Sequence, residues 1–267
     1  MTDYVHGFTP REQERLHDQA STLSELLHHD TRFPPGSLVL EAGCGVGAQT
    51  EILAANSPQA RFVGFDLSPD SLGQARALVR GRGLGNVRLL RADLFRPPFA
   101  EGTFDHLFVC FLLEHLPQPA RALASLLPLV RPGGGVTVIE GDHGSCYFHP
   151  ETEAARAAWN CLIRVQAALK GDSLIGRRLY PLLKSAGVRE LTVTPRKVYC
   201  DESRPRWMEG FVKKTIIPMV EGVREEALAR GMIDEGTWRR GIADLHATGT
   251  PPEGTFCYCF FKGVGVK

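Results

Sequence analysis

Residues 38–56 constrain the fold more than any other part of the chain. Val39-Leu40-Glu41-Ala42-Gly43-Cys44-Gly45-Val46-Gly47 runs from a short apolar strand through three glycines at alternate positions, and Ala48 to Asn56 then reads as a helix. Glycine adopts positive φ freely and lets a ligand approach the backbone without meeting a Cβ. A strand that ends in such a turn and passes straight into a helix is the ligand-binding unit of an α/β fold. The spacing is Gly-x-Gly-x-Gly, not the Gly-x-Gly-x-x-Gly of dinucleotide sites. No Gly-Lys-Ser/Thr follows, so the turn is not a phosphate-cradling P-loop.

The segments downstream repeat the unit. Leu38 to Glu41, Arg61 to Asp66, Val87 to Ala92, Phe104 to Phe111 and Gly135 to Glu140 read as strands. Helices alternate with them, the second opened by Ser68 as N-cap with Pro69 at the first helical position. Regular alternation predicts an α/β fold, a Rossmann-like, mostly parallel seven-stranded sheet with helices on both faces. The last two strands come from Glu190 to Val193 with Lys197 to Cys200, and from Thr255 to Lys262. Residues 10–29 form a leading helix, with Leu16, Ala20, Leu23 and Leu27 at helical spacing. The rhythm breaks after Gly141, where helical cap insertions are expected at about 142–174 and 203–250. The domain plan is therefore an N-terminal helical lid over 1–35 and one domain over 36–267.

Acids stand at the ends of four strands: Glu41, Asp66, Asp93 and Glu114. Ligands of open parallel sheets bind outside those ends, and an acid about 20 residues beyond the glycines is placed to grip ribose hydroxyls. Asp66 has that position. Glu41 can accept hydrogen bonds or attract a cation, Asp93 can accept from an exocyclic amine, and Leu94 offers an apolar wall.

With Glu-Ala-Gly-Cys-Gly-Val-Gly, Phe-Asp-Leu-Ser, Ala-Asp-Leu, Leu-Glu-His-Leu and Arg-Pro-Gly-Gly-Gly in place, residues 36–142 resemble the class I S-adenosylmethionine (SAM)-dependent methyltransferases. They are most similar to the branch of quinone-biosynthesis C-methyltransferases and small-molecule methyltransferases. The resemblance implies SAM as cofactor and S-adenosylhomocysteine as product. It implies that Gly43, Gly45 and Gly47 line the methionine part, with Glu41 and Cys44 among the cofactor-binding residues, and that Asp66 holds the ribose. Leu67, Asp93 and Leu94 would border the adenine, and Leu112 would sit beside the transferable methyl. In related enzymes a segment like Tyr4-Val5-His6-Gly7-Phe8 folds over bound SAM, which makes Tyr4 a closing residue.

A methyl on sulfonium is activated by the cofactor itself, so the protein needs chiefly to position a nucleophile, with a base only where a proton must leave. His143, His115 and Tyr147 are the candidates, from the segments after the fourth and fifth strands. Composition narrows the acceptor. Net charge is +1 with 31 Lys and Arg against 30 Asp and Glu, and no basic–aromatic pattern appears, which argues against a nucleic-acid partner. No apolar run approaches a membrane span. No basic n-region precedes an apolar run at the N-terminus, so no signal peptide is expected. Seven scattered cysteines without a Cys-x-x-Cys pair fit reduced thiols in a cytoplasmic protein and give no metal site. The expectation is a cytoplasmic small-molecule methyltransferase acting on O, N, S or C, with a homodimer supported by its apolar cap. An arsenite-type methyltransferase is a sub-alternative. A nicotinamide-dependent oxidoreductase and a non-catalytic SAM-binding protein are the competing readings.

Overall fold

The strands alternate faces with period two, and that alternation splits the core. Val39, Phe62 and Phe108 point to one side of the sheet with Leu23, Leu53 and Trp159. Leu40, Phe65, Leu107 and Val109 point to the other with Leu123, Leu126 and Leu179. Central parallel strands buried on both faces read as continuous apolar runs. A computed structural model describes residues 10–250 and 252–267, with side chains from Arg15 onward except His17. Tyr4 lies outside the described residues.

The chain runs α1 (Pro10–His28), β1 (Leu38–Ala42), α2 (Ala48–Asn56), β2 (Arg61–Asp66), α3 (Pro69–Gly81), β3 (Val87–Arg91), β4 (Phe104–Cys110), α4 (Pro119–Leu126) and β5 (Val130–His149). It continues through α5 (Glu153–Ala168), α6 (Leu179–Ser185), β6 (Arg189–Cys200) and α7 (Pro205–Trp207). A π-helix (Met208–Ile216), α8 (Ile217–Glu221), α9 (Arg224–Ala229), α10 (Glu235–Thr248) and β7 (Thr255–Val266) complete it. The seven strands lie in the order β3-β2-β1-β4-β5-β7-β6. β7 runs antiparallel to both its neighbours. The expected seven-stranded, mostly parallel α/β sheet is what forms. Strand order reverses between β1 and β4, and the crevice outside their carboxyl ends is where such sheets bind ligands.

Two elements differ from the sequence reading. β5 does not stop at Glu140 but pairs with β7 as far as His149, so strand occupies 142–149, where a helical insertion was expected. The register slips between Asp142 and Tyr147, and Ser145 Oγ fills the broken ladder by accepting from the Cys259 amide at 3.0 Å. β6 is one continuous strand through Pro195. It lies at the sheet edge, where a proline costs no ladder bond on its open side.

α1 is moored at its C-terminal end. Lys262 on β7, 2% exposed, donates to the Leu27 carbonyl at 3.2 Å, to Asp30 at 2.6 Å and to Thr31 Oγ1 at 2.6 Å. His28 Nε2 lies 2.7 Å from Gln49 Oε1 on α2. These bonds satisfy a buried ammonium, which would otherwise be costly.

In the cap, α10 crosses α5 at Gly241. A Cβ there would collide with the Ala154 carbonyl oxygen and come within 2.8 Å of Ala158 Cβ. Gly241→Ala gains up to about 1 kcal/mol of helix propensity, but overpacking costs about 1–3 kcal/mol or more where the obstacle is backbone. The substitution should lower the urea midpoint with an unchanged m-value. A raised midpoint would mean the two helices are free to separate.

Candidate active site

The glycine turn after β1 is shaped by backbone that only glycine adopts without strain. Gly43, Gly45 and Gly47 have φ of +73°, +51° and +84°. The amides of Gly43 and Cys44 both donate to the Phe65 carbonyl at the end of β2, at 2.9 and 3.0 Å. Asp66, the last residue of β2, accepts from the Gly45 amide at 2.9 Å through Oδ2 and from the Ser68 amide at 2.9 Å through Oδ1. One carboxylate thus ties the glycine turn to the entry of α3. A Cβ on Gly45 would meet nothing within 4 Å, so the turn keeps an open side.

Across the switch point, Leu112 closes on Gly43, where a Cβ would stand 2.8 Å from its Cδ1. Leu112 is held by Glu140, whose Oε1 accepts from the amides of Leu112 at 3.2 Å and Leu113 at 2.7 Å. Phe111 just before it takes a left-handed φ of +53°. Strain of that kind collects at functional sites. Leu67 is 52% exposed beside Asp66. Asp93 Oδ1 accepts from the Phe95 amide at 2.9 Å, and Leu94 is partly buried nearby.

Two predicted contacts take different forms. Cys44 is buried, with its Sγ packed against Gly64 on β2. Glu41 is 3% exposed and accepts from Thr50 Oγ1 at 2.6 Å. Burial pushes its carboxyl up to about 8. Burial there disfavours the ionised form.

Beside this cleft is a cavity of about 40 Å³ at the carboxyl ends of β4 and β5. By volume it holds about three waters. Phe111, Phe211, Ile216, Met219 and Phe260 give it apolar walls, and Arg15, Gln19, Glu114, His115, His143 and Tyr258 give it polar ones. His115 and His143, two of the three candidate bases, line the same cavity. Tyr147, 68% exposed beyond the β5 bulge, does not line it. Burial lowers both histidines to about 3, which makes them neutral and weak as bases. Glu114 and Glu140 are both raised, chiefly by burial, and Glu140 further by the Glu114 charge.

Arg15, Gln19 and Tyr258 escaped the sequence reading. Arg15 and Gln19 share a face with Leu23 at i, i+4 and i+8, and Arg15 donates to Gln19 Oε1 at 2.9 Å. Polar residues on the apolar stripe of an amphipathic helix were the available signal. Tyr258 carried none, because its partner His143 is 115 positions away.

A family model described as a methyltransferase domain matches residues 39–134. An uncharacterized 37.1 kDa protein in transposon TN4556 of Streptomyces fradiae is 34% identical over 68% of this chain and 52% of its own length. Demethylmenaquinone methyltransferase of Thermus thermophilus is 34% identical over 38% of this chain and 46% of its own. The chain spans about half the length of these curated relatives. Among solved structures, phosphoethanolamine N-methyltransferase 2 of Haemonchus contortus, in complex with phosphomonomethylethanolamine and S-adenosylhomocysteine, aligns with a TM-score of 0.56 at 16% identity. That alignment covers 94% of this chain and 53% of the other, and it shows a shared fold.

The turn makes a graded prediction. Gly45→Ala should cost about 1–2 kcal/mol of stability for left-handed backbone alone. Gly43→Ala should cost more, and Leu112→Ala in the same chain should restore part of it, a coupling of about 0.5–3 kcal/mol in a double-mutant cycle. Additive effects would show that Leu112 does not touch the turn. Glu41 makes a pH prediction. Its folded carboxyl keeps a proton that the unfolded one loses above 4.5, so stability falls as pH rises from there to about 8. Glu41→Gln should flatten that fall in pH-dependent urea titrations.

Proposed function

We propose that this chain, whose residues 39–134 match a methyltransferase-domain model, is a class I SAM-dependent methyltransferase that moves a methyl group from SAM to a small-molecule acceptor in the cavity beside the glycine turn. The observation that carries the reading is Asp66 bonded to the Gly45 amide at the strand-order switch point, inside the matched segment. The residues fit the cofactor. Gly43, Gly45 and Gly47 leave backbone free of Cβ atoms, Asp66 offers an acid for ribose hydroxyls, and half-exposed Leu67 offers an apolar face for a base. Asp93 and Leu94 border the same end of the cleft. When bound, SAM supplies an electrophilic methyl on sulfonium.

The protein's part is orientation. Leu112, fixed between Glu140 and Gly43, separates the cofactor cleft from the acceptor cavity and aligns the two. Phe111, Phe211 and Phe260 hold the apolar part of the acceptor and exclude water. His115 and His143, neutral through burial, orient it. Glu114 is the better proton acceptor for an acceptor that must lose one, since burial brings its carboxyl toward working pH. α1, within the proposed 1–35 lid, covers the cavity through Arg15 and Gln19, and the segments 142–174 and 203–250 make its far wall. Among the described residues no helix is long and apolar enough to cross a membrane. A cytoplasmic location and the lack of a nucleic-acid partner are read from composition, and a homodimer from the apolar cap.

Calorimetric titration with SAM, S-adenosylhomocysteine and NADH tests this. SAM and its product should bind and NADH should not. Asp66→Ala should weaken SAM roughly tenfold to a hundredfold, as expected for loss of a hydrogen bond to a charged group. Well-folded wild type that binds NADH and not SAM would make the chain an oxidoreductase. SAM binding without isotope transfer to any acceptor would leave a binding protein.

A further inference from the structure

The β5 bulge turns into the cavity a side chain whose hydrogen bonding is incomplete. His143 is 3% exposed, and its Nδ1 lies 2.7 Å from the Tyr258 hydroxyl. Its Nε2 is buried with no hydrogen-bond partner among the described residues. The ring cannot easily turn away. The His143 amide donates to the Ser173 carbonyl at 2.9 Å, and Trp159 Nε1 donates to the His143 carbonyl at 3.0 Å. The rings of Trp159 and Tyr258 flank it at 5.8 and 5.7 Å. A buried polar atom without a partner calls for explanation. His143 is one of the residues lining the cavity, so a molecule bound there is the partner within reach.

Counting hydrogens gives the tautomer. Among the described residues, the contact to His143 is the one hydrogen bond of the Tyr258 hydroxyl. If Nδ1 carried the hydrogen and donated to Tyr258, the hydroxyl hydrogen would lack an acceptor and Nε2 would lack a donor. If Tyr258 donates to Nδ1, only the Nε2 hydrogen is left over. The second arrangement strands one group fewer and is the cheaper. Burial and the nearby Arg15 charge both oppose a second proton on the ring.

We propose that Tyr258 fixes His143 as an Nε2–H donor, and that the methyl acceptor presents to it a carboxylate, ionised hydroxyl or carbonyl oxygen. This rests on the methyl-transfer reading above and narrows its substrate class. A protonated amine, which only donates, is rejected at this position. The remainder of the acceptor is apolar, to match Phe111, Phe211 and Phe260. His143 touches the substrate, and Tyr258 acts through it as a positioning residue.

Nitrogen-15 NMR of histidine-labelled full-length protein tests the assignment, with the His143 signals identified by their loss in His143→Gln. Wild type should show a neutral Nε2–H imidazole through the neutral pH range. Tyr258→Phe should convert this to a mixture of tautomers. Acetate, a carboxylate small enough for the cavity, should shift the Nε2 signal in wild type, and ethylammonium should not. The acetate affinity should fall roughly threefold to tenfold in Tyr258→Phe, the effect of one neutral hydrogen bond. An Nδ1–H tautomer in wild type, ordinary protonation near 6.5, no response to acetate or an equal response to ethylammonium would each overturn the proposal. S-adenosylhomocysteine is titrated into the same wild-type sample. Its failure to bind would remove the methyltransferase reading, whatever the tautomer of His143.

Discussion

The Asp66 carboxylate is the joint on which the site depends. The glycine turn has little to hold it: three residues with left-handed backbone, no side chains, and no regular ladder. What gives it one shape is the end of β2. The Phe65 carbonyl takes two of its amides and Asp66 takes a third, while the other oxygen of Asp66 caps the turn into α3. Charge-assisted bonds to amide hydrogens are stronger than neutral ones. One carboxylate thus sets both the turn and the start of the next helix. Leu112, seated on Gly43, then carries that shape across the switch point toward the cavity at the ends of β4 and β5.

That cavity is built from groups denied their usual charges. Glu114, Glu140, His115 and His143 all lie where water is scarce, and each is driven toward its neutral form. Acids move up and histidines down for one reason, the cost of burying charge. Arg15 cannot follow, because a guanidinium does not lose its proton in proteins. It is the fixed positive charge among groups that can be neutral. The arrangement suits a cavity that takes in a guest without stripping water from several ions at once.

The sheet was legible because its signals are local. The strand at Arg61 to Asp66 and the helix at Ala48 to Asn56 fall where apolar runs and turn residues put them. Asp66 and the glycines were legible for the same reason, since a strand end and its turn are neighbours in sequence. The β5 bulge was not, because it exists only against β7, more than a hundred residues downstream. Tyr258 and Arg15 were hidden likewise. One sits in a strand whose pattern says only that it is buried, and the other interrupts a helical stripe by a single position. Cys44 shows the converse. It sits in the motif, yet the motif uses its backbone and gives its thiol to the sheet.

The mooring of α1 has a mechanical consequence. Lys262 grips the helix near Leu27, and Arg15 reaches the cavity from about 18 Å farther along the same rod, at 1.5 Å of rise per residue. The rod is seated midway as well, where Gly210 of the π-helix leaves no room for a Cβ against Thr22. The place of Arg15 on the cavity wall is thus set in part by contacts at Thr22 and Leu27, two and more turns along the helix from it.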